Sequence, residues 1–428
     1  MLSLQFIRDH ADIVRKSLAD RHTPAPVDEI VALDERRRTL LTQVEMLRAE
    51  QNAAGKKIGA AKDAGERQSM IDAMKSVSTR VDDLTPQLRD IEEQLDRLVM
   101  EIPNIPLPET PVGASEDENV VSHQHGEEYR DDWRKPHWEL GEALGIIDFE
   151  RGVKLSGTRF YLLKGAGARL QRALIAFMLE LHIDKHGYTE VYPPALVKEE
   201  TMLHSGQLPK FRENLYHDAE QDYWLVPTAE VPLTNMHGDE IFEPGALPVH
   251  YVAYTPCFRR EKMSAGRDVR GIKRGHQFDK VEMYKFCEPE KSADELQSML
   301  ADAVDVCRVL GLRYRVVEIC TGDLGFNAAR TYDIETWSPA AGEWLEVSSV
   351  SNCTDFQARR ANIRFRREAG AKPEFPHTLN GSGLALPRTM IAIMENYQQP
   401  DGSIEVPEVL LPFMGGIARI TAPEAARQ

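Results

Sequence analysis

The sequence predicts an α+β protein in which a long N-terminal helical hairpin precedes a domain built on a mostly antiparallel β-sheet flanked by helices. Apolar residues recur in steps of three and four over residues 30–61 and again over residues 70–98, which is the heptad pattern of a coiled coil. Farther along, HYVAYTPCFRRE and HQFDKVEMYKF are joined by a glycine-containing segment, as in an antiparallel hairpin. The later pattern shows no βαβ repeat, which favours an antiparallel sheet.

Length and composition are typical of a soluble protein with two or three domains, because the chain has 428 residues, 42% hydrophobic and 28% charged. No apolar stretch reaches the roughly 20 residues of a membrane-spanning helix, and the N-terminus lacks the apolar region of a signal peptide. We therefore expect a cytoplasmic protein with no membrane partner. Five scattered cysteines without CxxC spacing predict buried thiols rather than disulfides or a zinc site.

The two heptad patterns predict an arm rather than a core. Residues 63–66, Asp-Ala-Gly-Glu, are turn-prone, so the two helices should fold back on each other. At about 1.5 Å per residue, each helix would extend roughly 50 Å. Pro86 lies within the second pattern, where it removes one helical hydrogen bond and is expected to kink the helix.

Charge is distributed unevenly along this arm. Residues 36–80 hold ten Lys or Arg and five Asp or Glu, although the formal net charge of the whole protein is −16. A basic distal half suits a phosphate-rich partner such as nucleic acid. Mixed charge is also normal at exposed coiled-coil positions, so the arm's composition leaves both interpretations open.

Proline-rich sequence separates the arm from the second domain. EIPNIPLPETPVG, residues 101–113, predicts a stiff linker, and the polar residues 114–135 are predicted to be irregular. We therefore expect a helical arm over residues 1–108, a linker over 109–135 and a second domain over 136–428.

Three segments of the second domain concentrate reactive side chains. Residues 257–275 hold seven Lys or Arg and two acidic residues on a glycine-containing loop, which suits phosphate but also a solvated hairpin tip. Glu346, Ser348 and Ser349 lie on a predicted strand and offer oxygen ligands of the kind that Mg²⁺ takes together with substrate phosphates. In TLNGSGLALPRTM, a glycine-rich turn and Pro387 precede a predicted helix with Arg388 in its first turn, although a glycine turn before a core helix would look similar.

Together these segments resemble the signature motifs of class II aminoacyl-tRNA synthetases, and in detail those of seryl-tRNA synthetases. The first motif resembles HGYTEVYPPALV with Pro194, the second FRRE with its loop and return strand, and the third GSGLALPR. The similarity covers essentially the whole chain. It includes six sequence segments typical of the seryl enzymes: SGQLPKF at 205–211, PTAEVPLTN at 227–235, SAGRDVRG at 264–271, HQFDKVE at 276–282, EVSSVSNCTDFQARR at 346–360 and NGSG at 380–383.

The resemblance implies a class II synthetase catalytic domain and a serine–tRNA ligase of protein biosynthesis. Such an enzyme activates L-serine with ATP to seryl-adenylate and pyrophosphate, then transfers serine to the 3′-terminal ribose of tRNA(Ser), with tRNA(Sec) as a second acceptor left open. It further implies Mg²⁺ with ATP, a homodimer with Pro194 near its interface, and an arm that binds the tRNA backbone.

For ATP, the resemblance assigns roles residue by residue. Arg259 is expected to bind the α-phosphate and the substrate carboxylate, Glu261 the adenine edge and Phe278 the adenine face. Arg388 is expected to bind the γ-phosphate. The ATP site is completed by neighbouring residues of the same motifs: Arg260, Glu346, Val347, Ser348 and Ser349.

The metal and serine sites follow from the same resemblance. Glu346 and Ser349 would hold Mg²⁺. Serine would be surrounded by residues from three segments: Thr228, Ala229, Glu230, Glu282 and Ser382. Arg259 and Arg388 are expected to be the catalytic residues, because the reaction requires positioning and charge neutralisation rather than a protein nucleophile.

Two other functions fit parts of the sequence. An enzyme of the same fold that loads serine onto a carrier protein or an amine would usually lack the arm. A catalytically silent RNA-binding relative should have lost Arg259, Glu261, Glu346 or Arg388, and all four are present. One departure stands at 386–387, where Leu-Pro replaces the Val-Gly common in bacterial seryl enzymes, at the expected floor of the ATP pocket.

Overall fold

The computed structural model describes residues 1–262 and 270–423. The chain forms two compact units, Met1–Pro103 and Asn104–Gln428. Most of the predicted SAGRDVRG segment, residues 264–269, lies outside the described residues. The predicted domain boundaries at 108 and 135 stay predictions.

Unit 1 is entirely helical in its regular structure, and two long helices form the predicted hairpin. Its helices are α1 Leu4–Asp9, α2 Ala11–Asp20, α3 Val27–Ala60 and α4 Ala64–Val99. Leu47 of α3 packs against Val77 and Val81 of α4, so the apolar heptad positions meet between the helices as the sequence predicts.

The hairpin turn comes slightly earlier than predicted, because α4 already begins at Ala64. The Asp63 side chain accepts a 2.7 Å hydrogen bond from the Glu66 backbone N–H, which caps the new helix and makes residues 61–63 the turn. Helix α4 continues through Pro86. The predicted kink at that proline stays a prediction.

Unit 2 combines eight helices with a large sheet and four small strand pairs among its described residues. The helices are α5 His137–Ala143, α6 Phe149–Ser156, α7 Ala166–Glu180, α8 Glu199–Ser205, α9 Glu230–Asn235, α10 Ser292–Val309, α11 Phe356–Arg360 and α12 Leu386–Asn396. The strands are β1 Val120–His125, β2 Ile147–Asp148, β3 Leu162–Leu163, β4 Thr189–Glu190, β5 Leu196–Lys198, β6 Tyr223–Leu225, β7 Ile241–Phe242, β8 Val249–Phe258, β9 Gln277–Cys287, β10 Tyr314–Glu318, β11 Arg330–Ser338, β12 Glu343–Asn352, β13 Arg364–Phe365, β14 His377–Ala385, β15 Ile404–Glu405 and β16 Arg419–Ile420.

The large sheet has the strand order β1-β10-β11-β12-β14-β9-β8-β4. All neighbouring strands are antiparallel except β8 and β4, which are parallel. Strands β8 and β9 form the predicted hairpin over ten paired positions, from Val249 opposite Phe286 to Phe258 opposite Gln277. This sheet confirms the predicted α+β class with a mostly antiparallel sheet.

Strand β9 divides its side chains between two environments, because successive residues of a strand point to opposite faces. Val281 and Met283 join a hydrophobic core with residues of α7, α10 and α12. Glu282 and Lys280, on the alternate positions, line a polar cavity on the other face. The core therefore fixes which side chains of β9 the cavity receives.

One local prediction, for residues 114–135, is corrected. The segment 114–135 is not irregular throughout, because Val120–His125 forms the edge strand β1 and pairs with β10. Its sequence, VVSHQH, lacks the alternation between apolar and polar residues that indicates a strand, and all six residues are exposed.

Two predictions about the whole chain can be compared with the described residues. All five cysteines are free and buried, as predicted. In the part of the chain that the structure describes, none of the helices combines the length and the apolar character required to cross a bilayer.

Helix α12 should tolerate loss of core side chains poorly, since Ile393 has 0% of its surface exposed within the core of unit 2. We expect Ile393→Ala to lower the free energy of unfolding of this unit by about 2–5 kcal/mol, because it leaves a cavity beneath the sheet. Urea unfolding followed by tryptophan fluorescence measures the loss. Leu155→Ala, at a residue that is 73% exposed, is the control and should change it little. Equal effects of both changes would contradict the packing described.

Candidate active site

A polar cavity of about 320 Å³ lies beside strands β9, β12 and β14 and the start of α12. It brings together most of the residues that the sequence predicts for ATP, metal and serine: Thr228, Glu230, Arg259, Glu261, Phe278, Glu282, Glu346, Val347, Ser349, Ser382 and Arg388. The two predicted arginines and the predicted metal-binding carboxylate therefore meet in one cavity, although they come from three distant segments.

Arg259 follows the end of β8 and is held from two sides. Its Nε donates to the backbone oxygen of Pro227 at 3.2 Å, and its backbone N–H donates to the oxygen of His276 at 2.9 Å. Its guanidinium carbon lies 5.1 Å from the centre of the Phe278 ring. A cation against an aromatic face is a favourable contact, and it places a phosphate-binding group beside a flat apolar surface.

Arg388 lies at the start of α12, where Pro387 occupies the first turn as predicted. Its Nη1 lies 2.7 Å from the backbone oxygen and 3.2 Å from Oε2 of Glu346. Enclosure by protein raises the pKa of the Glu346 carboxyl, but the charge and hydrogen bond of Arg388 outweigh it and bring that pKa below its ordinary value. The carboxylate is thus ionised and still 46% exposed, so it can bind another cation.

A β-bulge explains how Glu346 and Ser349 share the cavity. In a regular strand, residues three apart point to opposite faces. Between β11 and β12 the pairing shifts: Glu335 lies opposite Glu346 but Ile334 lies opposite Ser348, so Val347 is an extra residue. The bulge inverts the alternation beyond it and turns Ser349 toward the side of Glu346.

The cavity also contains two buried carboxylates and one lysine. Lys280 Nζ lies 2.5 Å from Oε2 of Glu282, and both side chains are buried. Glu230 Oε1 accepts hydrogen bonds from Gln357 at 2.6 Å and from Asn380 at 3.3 Å. Burial, together with the charge of Glu282, raises the pKa of Glu230 to about 7. One lysine facing two carboxylates leaves room for a second positive group.

Three predicted residues do not line the cavity. Ala229 is fully buried in an apolar cluster with Leu233. The Arg260 guanidinium lies 5.8 Å from the Tyr216 ring centre. Ser348 is buried, and its Oγ donates to the backbone oxygen of Ser382 at 2.6 Å. Ala229 and Ser348 can therefore act on the site only through the backbone that they position.

Pro387, expected at the floor of the ATP pocket, lines the cavity, which also contains residues to which the sequence assigned no individual role: Gln207, Lys273, Arg274, Gly275, Lys280, Asn380 and Ala385. Lys280 could have been found, because it lies two residues from both Phe278 and Glu282 and strand alternation places all three on one face. No comparable sequence pattern predicts Gln357 as a residue of this site. It reaches Glu230 from α11 only because the fold brings these segments together.

Known proteins similar to this chain cover its whole length. Residues 1–106 match the family described as seryl-tRNA synthetase N-terminal domain, and residues 211–397 match the tRNA synthetase class II core domain (G, H, P, S and T). A serine–tRNA ligase of Thermomicrobium roseum is 60% identical over 98% of this chain and 95% of that protein. One from Roseiflexus sp. (strain RS-1) is 62% identical over 97% of this chain and 99% of that protein.

A solved structure is similar to both units. The crystal structure of seryl-tRNA synthetase from Pyrococcus horikoshii complexed with ATP has a TM-score of 0.93 and 37% sequence identity, and covers 99% of this chain and 100% of that one. The similarity of fold thus includes the helical hairpin and the sheet that carries the cavity.

The raised pKa of Glu230 predicts a dependence of stability on pH. Because that pKa is about 7 in the folded protein against an ordinary value of 4.5, the folded state holds the proton more tightly than the unfolded chain. The resulting stability is complete below about pH 4.5 and is lost as the pH rises through about 7, by up to about 3 kcal/mol.

Glu230→Gln removes this titration, so the Tm of the variant minus that of the unchanged protein should become more positive between pH 5 and pH 8. Differential scanning calorimetry at several pH values measures it. Glu408→Gln, at an exposed carboxylate of the same unit, is the control and should show a constant difference. A constant difference for both variants would contradict the raised pKa.

Proposed function

The chain belongs to the seryl-tRNA synthetase family and is a serine–tRNA ligase, and we propose that its cavity divides into a phosphate-binding end and a serine-binding end. The observation that carries this proposal is the pairing of charges in one cavity: Arg388 contacts Glu346, whereas Lys280 pairs with Glu282 beside Glu230. Arginine binds phosphate and carboxylate groups, whereas buried carboxylates bind an ammonium or a hydroxyl group.

At the serine end, Glu230 binds the ammonium group and Glu282 accepts a hydrogen bond from the serine hydroxyl. Lys280 pairs with one oxygen of the Glu282 carboxylate, and carboxylate oxygens accept hydrogen bonds. Thr228 and Ser382 complete this end of the cavity, while Ala229 supports it from the buried side. Alanine would leave the buried Glu282 carboxylate without a partner, and this unpaired group supplies selectivity without a separate editing step.

At the phosphate end, Arg259 binds the α-phosphate together with the serine carboxylate, and Arg388 binds the γ-phosphate. The adenine ring stacks on Phe278, and Glu261 binds its edge. Glu261 has a positive φ of 51°, a conformation that few residues other than glycine adopt, and its side chain lines the cavity. Arg260, Val347 and Ser348 support this end through the backbone.

The family's ATP-dependent reaction implies a divalent metal, and we propose Mg²⁺ held by Glu346 and Ser349. These two residues fit such an ion. Glu346 is ionised and partly exposed, and Glu346 and Ser349 both line the cavity. The described residues contain no group of three or more His, Cys, Asp or Glu that could hold a metal. An ion bound largely through substrate phosphates requires few protein ligands. When bound, it would neutralise phosphate charge.

The chemistry requires no protein nucleophile. A carboxylate oxygen of serine attacks the α-phosphorus of ATP in line, the bond to the bridging oxygen breaks, and pyrophosphate leaves. A ribose hydroxyl of the tRNA 3′ end then attacks the activated carbonyl and AMP leaves. The protein holds the reactants in place and neutralises charge with Arg259 and Arg388.

We further propose tRNA(Ser) as the acceptor, with tRNA(Sec) as a second one, bound through the basic distal half of the arm. A homodimer is proposed on the surface around Pro194, because the neighbouring apolar residues Tyr192 and Leu196 are 89% and 52% exposed. A cytoplasmic location is proposed with the role in protein synthesis.

Serine specificity should depend on the Glu282 carboxylate. We expect Glu282→Gln to lower kcat/KM for serine by about 10–100-fold in ATP–pyrophosphate exchange, since a charged hydrogen bond is removed, and to change kcat/KM for alanine much less. Exchange measured across all twenty amino acids on the unchanged enzyme is the reference. Exchange driven best by another amino acid would overturn the serine assignment.

The arm should serve tRNA and not amino-acid activation. Replacing the exposed residues Lys56, Lys57 and Lys62 by alanine should raise the KM for tRNA(Ser) and reduce its salt dependence, by about 0.7–0.9 in the logarithmic slope for each tRNA phosphate that a lysine no longer neutralises. ATP–pyrophosphate exchange should not change. Lys372→Ala, an exposed lysine of unit 2, is the control. Unchanged tRNA charging and salt slope in the triple variant would contradict a role for these lysines.

A further inference from the structure

Strand β14, which carries Ser382, contains a second β-bulge. It pairs with β9 regularly up to Ser382 opposite Glu282, and the next pair is Leu384 opposite Val281. Gly383 is therefore an extra residue without a position in the pairing. If these residues formed a regular strand, Leu384 would point to the same face as Ser382 and enter the cavity, whereas Leu384 is fully buried in the core and Ala385 lines the cavity.

The bulge is contacted from the core side by His182, in the π-helical turn Leu181–Lys185 that follows α7. His182 has 0% of its surface exposed, and its Nε2 lies 3.2 Å from the backbone oxygen of Gly383. A β-carbon at Gly383 would lie 2.6 Å from that Nε2. The close approach of the ring thus requires glycine at the bulge.

The contact with the Gly383 carbonyl fixes which nitrogen of His182 carries the proton. A carbonyl oxygen only accepts, so Nε2 must donate. Burial lowers the pKa of His182 to about 4, which leaves the ring neutral, with Nδ1 as an acceptor. Nδ1 lies 2.9 Å from Nδ1 of His186, which must therefore be the donor.

The other ring nitrogen of His186 lies 3.2 Å from Oδ2 of Asp305 on α10. Lys185 also donates to that oxygen at 2.6 Å, and Arg308 pairs with the other oxygen of the same carboxylate. Asp305, His186, His182 and the Gly383 carbonyl thus form a continuous series of contacts at hydrogen-bond distance from α10 to β14.

The peptide beside the bulge is held from a second direction. The backbone oxygen of Ser382 accepts from Ser348 Oγ on β12 at 2.6 Å. Two consecutive carbonyl groups, those of Ser382 and Gly383, are therefore fixed by side chains from two different elements. Two fixed carbonyls leave the Ser382–Gly383 segment little freedom to rotate, and this segment directs the Ser382 side chain into the cavity.

We propose that His182 is a positioning residue of the serine site: by donating from Nε2 to the Gly383 carbonyl it fixes the bulge that aims Ser382 at the substrate. The proposal rests on the proposed placement of serine beside Ser382. His182 touches neither substrate, so its effect reaches the reaction only through the backbone of β14.

The test compares two amides that imitate different nitrogens of the ring. Glutamine can place its amide N–H near the position of Nε2, whereas asparagine reaches only the position of Nδ1. In ATP–pyrophosphate exchange, His182→Asn should raise the KM for serine about tenfold or more, and His182→Gln should recover most of it. The KM for ATP should change less than about twofold in both variants.

A role in stability alone would give a different result. It would lower the Tm and the active fraction found by active-site titration, and leave the KM for serine unchanged. That outcome, or equal serine KM values for the asparagine and glutamine variants, would overturn the proposal.

Two further variants keep the test decisive if His182→Asn does not fold. His186→Leu removes the donor to Nδ1 of His182 without touching β14 and should also raise the KM for serine, whereas His186→Asn, which keeps a donor near Nδ1, should not.

Ser382→Ala tests the placement of serine itself. If Ser382→Ala leaves the KM for serine unchanged, the placement fails; if it raises that KM while the histidine variants do not, only the positioning role fails.

Discussion

The register of the β8–β9 hairpin is the constraint on which both the core and the cavity depend. Val281 and Met283 must face the helices for the core to close, and this places Lys280 and Glu282 on the opposite face. A shift of one residue would exchange these sets, burying two charged side chains in an apolar core. Packing of the apolar face of β9 against the core therefore also places the polar side chains of β9 in the cavity.

Two bulges then adapt the neighbouring strands to the cavity. In β12 the extra residue Val347 lets Glu346 and Ser349 share one side, and in β14 the extra residue Gly383 lets Ser382 and Ala385 do so. Both bulges lie beside proposed substrate contacts, where bulges commonly re-aim side chains. The Oγ of Ser348, adjacent to the first bulge, bonds to the backbone oxygen of Ser382, adjacent to the second, so the two irregularities support each other.

The charged groups of the cavity have different partners, and each set suits one kind of ligand. Arg388 keeps Glu346 ionised at the phosphate end, whereas burial beside Glu282 makes Glu230 hold its proton up to about pH 7. Two carboxylates of the same chemical type thus differ in protonation because one faces a guanidinium and the other faces a second carboxylate. The overall charge of −16 says nothing about this arrangement, because binding depends on where charges lie.

The sequence by itself determined the elements whose pattern is local: the coiled-coil arm, the β8–β9 hairpin, and the helix that presents Arg388 from its first turn. Periodicity reports which residues of one element share a face, and these elements are regular. Only the tertiary structure decided the phase shifts at Val347 and Gly383, the exposed edge strand β1, and the contacts of Gln357 and His182. These depend on which elements meet across long separations in the chain, and no local pattern of residues encodes that meeting.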